Sequence, residues 1–132
     1  MCSRWWFLRR SCGDEAPKLR ALPQDAVILA FGDSHTHGTV ARPSESYPER
    51  LAARISRVGV NAGTPGEVTA AGLRRLPGVL EQSAPVLVLL CHGGNDILRK
   101  LSQGQAVENL CAMIRIRRAS RHTWRTEVWF DT

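Results

Sequence analysis

An α/β fold with a parallel sheet and helices on both faces is predicted by three observations. Residues 26–31 and 86–91 form unbroken apolar runs, and each stops at a polar loop containing glycine. A shorter candidate strand, residues 58–61, lies between them. Helical patterns separate the three. Short continuous apolar runs suit strands buried on both faces, as in parallel sheets. Their alternation with helices builds a sheet covered on both sides.

The elements follow in chain order. Residues 1–12, MCSRWWFLRRSC, look like a damaged export signal. Such a signal needs a basic start and then an apolar stretch of roughly 7–15 residues. Here residues 5–8 supply only four, and Arg9 and Arg10 interrupt them. Cys12 stands where a lipoprotein cysteine would, but Arg9-Arg10-Ser11 makes a poor attachment box. Efficient export is not expected. Residues 13–25 are polar and proline-punctuated, a lead-in loop.

After the first strand, the spacing predicts a helix over 46–57. Ser46 can cap it, Pro48 fits its first turn, and Tyr47, Leu51 and Ile55 share one face. A second helix is predicted over 69–82, with Leu73, Leu76 and Leu80 on a stripe. Pro77 is expected to kink or split it. A third covers 105–117, with Ala106, Leu110 and Met113 facing inward. There is no internal repeat, and no apolar run approaches the length that crosses a bilayer, so no transmembrane segment is expected.

The chain has 132 residues, 43% of them hydrophobic, which suits one domain with a packed core. Its formal charge of +6 does not point to nucleic acid. Residues 1–20 carry five basic and two acidic side chains, as do residues 115–132, while residues 21–114 hold eight of each. The excess lies at the two ends, and the body has no basic stripe for phosphate contacts. Cys2, Cys12, Cys91 and Cys111 lack C-x-x-C spacing and are too sparse for a disulfide scaffold. Cys91 and Cys111 lie in apolar segments and are expected to be buried.

In parallel sheets of this class, ligands bind beyond the carboxyl ends of the strands. All three predicted strands end there in loops of small polar residues: GDSHTHG, NAG and HGGND. Acyl transfer needs a nucleophile on a tight turn and donors aimed at the developing oxyanion. Ser34 stands on such a turn after the first strand. Gly63, without a Cβ, can bring a backbone N–H close to a ligand, and Asn95 offers an amide. The Ser34 N–H, Gly63 N–H and Asn95 side chain are together expected to form a three-donor oxyanion hole.

From residue 26 to about residue 113 the chain resembles the SGNH (GDSL-type) hydrolases, particularly the bacterial arylesterase, thioesterase and lysophospholipase branch. Gly32-Asp33-Ser34 with Thr36 and Gly38 matches the first family block, Gly63 the second, and Gly93-Gly94-Asn95-Asp96 the third. The resemblance implies a three-layer α/β/α fold with flavodoxin-like strand order and cofactor-free hydrolysis of small-molecule esters or thioesters. It implies Ser34 as nucleophile and oxyanion donor, with Gly63 and Asn95 as the other donors. Asp33 would shape the turn, and Asp96 would fix the loop presenting Asn95. Family members are often periplasmic or lipid-anchored. The degenerate signal leaves the cytoplasm open.

The family's fourth block, an Asp-x-x-His supplying base and orienting acid, has no match after the third strand. Residues 118–132 also cease to resemble the family, and a truncation or shifted reading frame near residues 116–118 is expected. Comparing the encoding DNA in all three frames tests this. The chain thus divides into a signal-like leader and lead-in (1–25), a partial hydrolase domain (26–117) and an atypical basic tail (118–132). His37, three residues from Ser34, His92 on the third loop and His122 in the tail are weak candidates for the base; His35 adjoins Ser34 and points apart from it. With residues 127–130 as the one further strand candidate, the third strand is expected at an edge, an aggregation hazard.

Three functions follow: an impaired serine ester hydrolase, a catalytically inactive remnant or small-ligand-binding module, or a metal site built from His35, His37, Cys91 and His92. The spacing of those four residues matches no metal motif.

Overall fold

The computed structural model describes residues 21–119 and 125–128. The signal-like stretch, Cys2, Cys12 and His122 lie outside them.

Strands β1 (Val27–Gly32), β2 (Val58–Gly63), β3 (Leu87–Cys91) and β4 (Arg125–Val128) form one parallel sheet in the order β2-β1-β3-β4. The chain leaves β1 in one direction to reach β2 and returns across it to β3. That reversal is the topological switch point at which ligands bind in such sheets. Register places Leu29 opposite Val60 and Val88, and Phe31 opposite Ala62 and Leu90. Because strand side chains alternate, all six point to one face.

Helices α3 (Thr69–Ser83) and α5 (Gln103–Ala119) cover that face, where Leu76, Leu110 and Met113 meet Leu29, Phe31, Val88 and Leu90. Each large side chain fully buried here contributes roughly 1.5–3 kcal/mol of transfer free energy. Helix α2 (Tyr47–Ile55) lies on the opposite face against β2. The approach is close: a Cβ on Gly59 would sit 2.6 Å from the Ala52 Cβ. The result is the expected three-layer α/β/α arrangement. No helix among the described residues is long and apolar enough to cross a membrane.

Several local expectations are corrected. Helix α3 is not split: it runs as one element from Thr69 to Ser83 with Pro77 on its exposed side. Helix α2 buries Pro48 and Ala52, whereas Tyr47 and Ile55 are more than a third exposed. Ser46 makes no capping bond; its hydroxyl accepts from Asn61 Nδ2 at 3.4 Å. Cys91 and Cys111 are half-buried.

Strand β3 is not an edge, because β4 pairs along its other side, from Leu87 opposite Arg125 to Leu90 opposite Val128. A backbone ladder needs an extended segment rather than a family-like sequence, and it satisfies the N–H and C=O groups that an edge leaves open.

Candidate active site

The ends of β1, β2 and β3 converge. Gly32 cannot carry a side chain, since a Cβ would fall 2.1 Å from the Cys91 carbonyl oxygen and 2.3 Å from Thr36 Oγ1. The chain turns at once into α1 (Ser34–His37), a four-residue helix. Asp33, buried at 3% exposure, caps it: Oδ1 accepts the His35 N–H at 3.1 Å. Gly38, at φ +80°, closes the far end by donating to the Ser34 carbonyl at 3.0 Å. Asp33 therefore shapes the turn. Ser34 is half-buried, and its hydroxyl has no hydrogen-bond partner among the described residues.

Buttressing comes from Tyr47, whose phenol oxygen lies 3.3 Å from the hydroxyl of the fully buried Thr36. Burial pushes the Tyr47 phenol above its ordinary value, with the Thr36 hydrogen bond opposing. It stays neutral and serves as packing and a hydrogen-bond partner.

Gly63 is placed otherwise than expected. A Cβ there would fall 2.1 Å from the His37 nitrogen, so its missing side chain makes room for α1 and not for a ligand. Its N–H donates to Asn61 Oδ1 at 3.0 Å. Asn61 also donates to Ser46 Oγ at 3.4 Å and to the His37 carbonyl at 3.5 Å. The signal for this was Asn61 itself, a polar residue at the end of an apolar strand. Three residues beyond Gly63, Gly66 holds φ +73°, a region that favours glycine. Its carbonyl accepts from Arg99 Nη2 at 2.8 Å, and its N–H has no partner among the described residues.

Asn95 lies in the first turn of α4 (Gly94–Leu98). The preceding Gly94 abuts the Ser34 turn: a Cβ there would be 3.5 Å from Asp33 Oδ2. One Asn95 amide N–H donates to the Glu67 carbonyl at 3.1 Å. A side-chain amide has two, so the other remains for a ligand. Asp96, buried, accepts the Thr69 N–H at 2.9 Å and the Thr69 hydroxyl at 2.7 Å. It ties the Asn95 loop to the start of α3.

The histidines disperse. The side chain of His92 is fully buried, with Nε2 3.1 Å from Glu67 Oε2 and Nδ1 accepting the Gly93 N–H at 3.1 Å. Both ring nitrogens are engaged, which leaves neither for Ser34. His35 is exposed, its Nδ1 3.5 Å from Asp33 Oδ1, and His37 is exposed on α1. The metal constellation of His35, His37, Cys91 and His92 is not assembled. No group of three or more metal-ligating side chains occurs among the described residues.

Comparison with known proteins gives the family and the fold. The GDSL-like Lipase/Acylhydrolase family profile matches residues 30–128. Esterase TesA of Pseudomonas aeruginosa is 35% identical over 98 residues, covering 70% of this chain and 49% of that protein. Thioesterase 1/protease 1/lysophospholipase L1 of Escherichia coli K12 is 36% identical over 93 residues, covering 69% of this chain and 44% of its own length. The crystal structure of AlinE4, an SGNH-hydrolase family esterase, superposes with a TM-score of 0.69 at 34% identity, covering 82% of this chain and 60% of that one. The chain thus spans about half the length of the curated relatives it matches.

Proposed function

The chain belongs to the GDSL-like lipase/acylhydrolase family, and on that premise we propose that it is built for serine-dependent hydrolysis of carboxylic esters or thioesters. The observation that carries this reading is the meeting of two turns. Ser34 starts α1 with a hydroxyl that has no partner among the described residues, and the glycine before Asn95 lies against the cap of that same helix.

In this reading the Ser34 hydroxyl attacks the acyl carbonyl carbon, losing its proton to water; collapse of the adduct expels the alcohol or thiol, and water then hydrolyses the acyl-serine. The oxyanion that develops accepts from the Ser34 N–H, which the helix start leaves without an intrahelical partner. It accepts also from the second N–H of Asn95. Gly66 supplies the third donor in place of Gly63, because the Gly63 N–H is committed to Asn61 while the Gly66 N–H has no partner among the described residues. The Gly66–Glu67 peptide adjoins the anchored Asn95 amide.

For the residues present the reading is one of impaired turnover: none of them after β3 forms an Asp-x-x-His, and the buried His92 is engaged by Glu67 and Gly93. In a serine hydrolase, loss of the histidine lowers turnover by roughly a millionfold. A non-catalytic module that holds carboxylate or ester groups in the same pocket is the competing reading.

Hydrolysis of a short-chain nitrophenyl ester by monodisperse protein, compared with Ser34→Ala, separates the two. Slow release that disappears in the variant supports the hydrolase. Equal rates in both would reduce the chain to the binding module.

A further inference from the structure

Glu67 stands between the loops that follow β2 and β3, and its carboxylate is only 8% exposed. Its Oε1 accepts Arg75 Nε at 2.9 Å, and its Oε2 accepts Arg75 Nη2 at 2.6 Å and lies 3.1 Å from His92 Nε2. Arg75 reaches further, donating Nη2 to the Ala62 carbonyl at 3.0 Å, with its guanidinium carbon 4.2 Å above the Phe31 ring. The backbone carbonyl of Glu67 holds the Asn95 amide.

The hydrogen bonds fix the tautomer of His92. The Gly93 N–H is a donor only, so Nδ1 must accept and the ring proton sits on Nε2, directed at Glu67. This neutral imidazole links the β3 loop to the carboxylate. Arg75 links the same carboxylate to α3 and to the end of β2. Burial acts to raise the Glu67 carboxyl, but the Arg75 and His92 hydrogen bonds prevail and hold it below its ordinary value.

We propose that Glu67 is a positioning residue for the oxyanion donors: its carboxylate, clamped by Arg75 and His92, fixes the peptide whose carbonyl orients the Asn95 amide. The inference rests on the assignment of Asn95 and Ser34 above. Arg75 alone would neutralise the carboxylate and tie it to α3. The His92 and Asn95 bonds do more, because both cross to the loop that carries the donor. A histidine that fails as a general base thereby gains a role in holding the donor loop.

The test uses the full chain with 15N labelling. In the wild type, one Asn95 side-chain proton exchanges slowly, and the His92 ring gives the signature of the Nε2–H tautomer. Glu67→Ala is expected to bring the two Asn95 protons towards free-amide behaviour. It is also expected to slow fluorophosphonate labelling of Ser34, up to about a hundredfold for a displacement near 1 Å. Glu67→Gln, which keeps the length and one acceptor, recovers part of both. Should Glu67→Ala fail to fold, His92→Leu cuts the link while keeping apolar volume, with the same change expected at Asn95. Unaltered Asn95 resonances in whichever variant folds overturn the proposal, whether or not labelling slows. A wild type that is never labelled counts against the Ser34 reading, and the Asn95 resonances then judge Glu67 alone.

Discussion

The carboxylate of Asp96 caps a helix to which it does not belong, accepting both the backbone N–H and the hydroxyl of Thr69 at the start of α3. Val68, the residue at the cap position, makes no side-chain bond there. Asn109 of α5 completes the cluster by donating Nδ2 to the Thr69 hydroxyl oxygen at 3.0 Å. Asp96→Ala strips two buried donors of their acceptor and is expected to cost about 2–4 kcal/mol. Urea denaturation measures it, and a loss below about 0.5 kcal/mol, the level of an ordinary surface change, would contradict the capping role.

Gly63→Ala is expected to be severe. The added Cβ meets backbone, the His37 nitrogen at 2.1 Å and the Thr36 carbonyl carbon at 2.6 Å, so no rotamer change relieves it. A cost of about 3 kcal/mol or more follows from forced backbone shifts. If thermal unfolding of the variant matched wild type, the packing account of Gly63 would be wrong.

Ser34→Ala is expected to leave the fold untouched. Its hydroxyl bonds to nothing among the described residues, so stability should change by less than about 0.5 kcal/mol. Fluorophosphonate labelling should vanish with it. Labelling that persisted would identify a different nucleophile.

The Glu67 carboxyl supplies a pH test. Although burial raises it, the hydrogen bonds from Arg75 and His92 leave it below its ordinary value of 4.5. A carboxyl depressed in the folded state adds stability that is full above its unfolded value and is lost as pH falls through its folded value. The stability gap between wild type and Glu67→Gln should therefore be constant from about pH 6 to 7 and shrink below about pH 4.5. A gap that widened on acidification would reverse the assigned direction.

Ala84 ends α3 at φ +39°, in the left-handed region, where its N–H donates to the Leu80 carbonyl at 3.0 Å. Glycine suits that position, so Ala84→Gly should raise stability by about 0.5–1 kcal/mol, read as an increase in Tm. A lower Tm would show that the contacts of the methyl group outweigh the strain.

The strands were legible because β1 and β3 are unbroken apolar runs, and the sheet order followed from the family resemblance. Ser34 and Asn95 were legible because each follows such a run directly. Gly63 was half legible: its lack of a side chain does matter, but for the backbone of α1 and not for a ligand. Gly66 was missed because only its dihedral angle sets it apart. The Glu67, Arg75 and His92 cluster could not be read, since its partners lie eight and 25 residues from Glu67 and no local pattern joins them. Pro77 misled because the cost of an interior proline depends on which side of the helix faces water.

A four-residue helix has almost no stability of its own, since nucleating a first turn is unfavourable. Helix α1 nonetheless has its last turn pressed on Gly63 and its His37 carbonyl held by Asn61. It cannot open by fraying alone; Gly63 must move with it. Amide protons in α1 should therefore exchange at the pace of β2 and not at that of a surface loop, so the nucleophile turn opens only together with the strand it leans on.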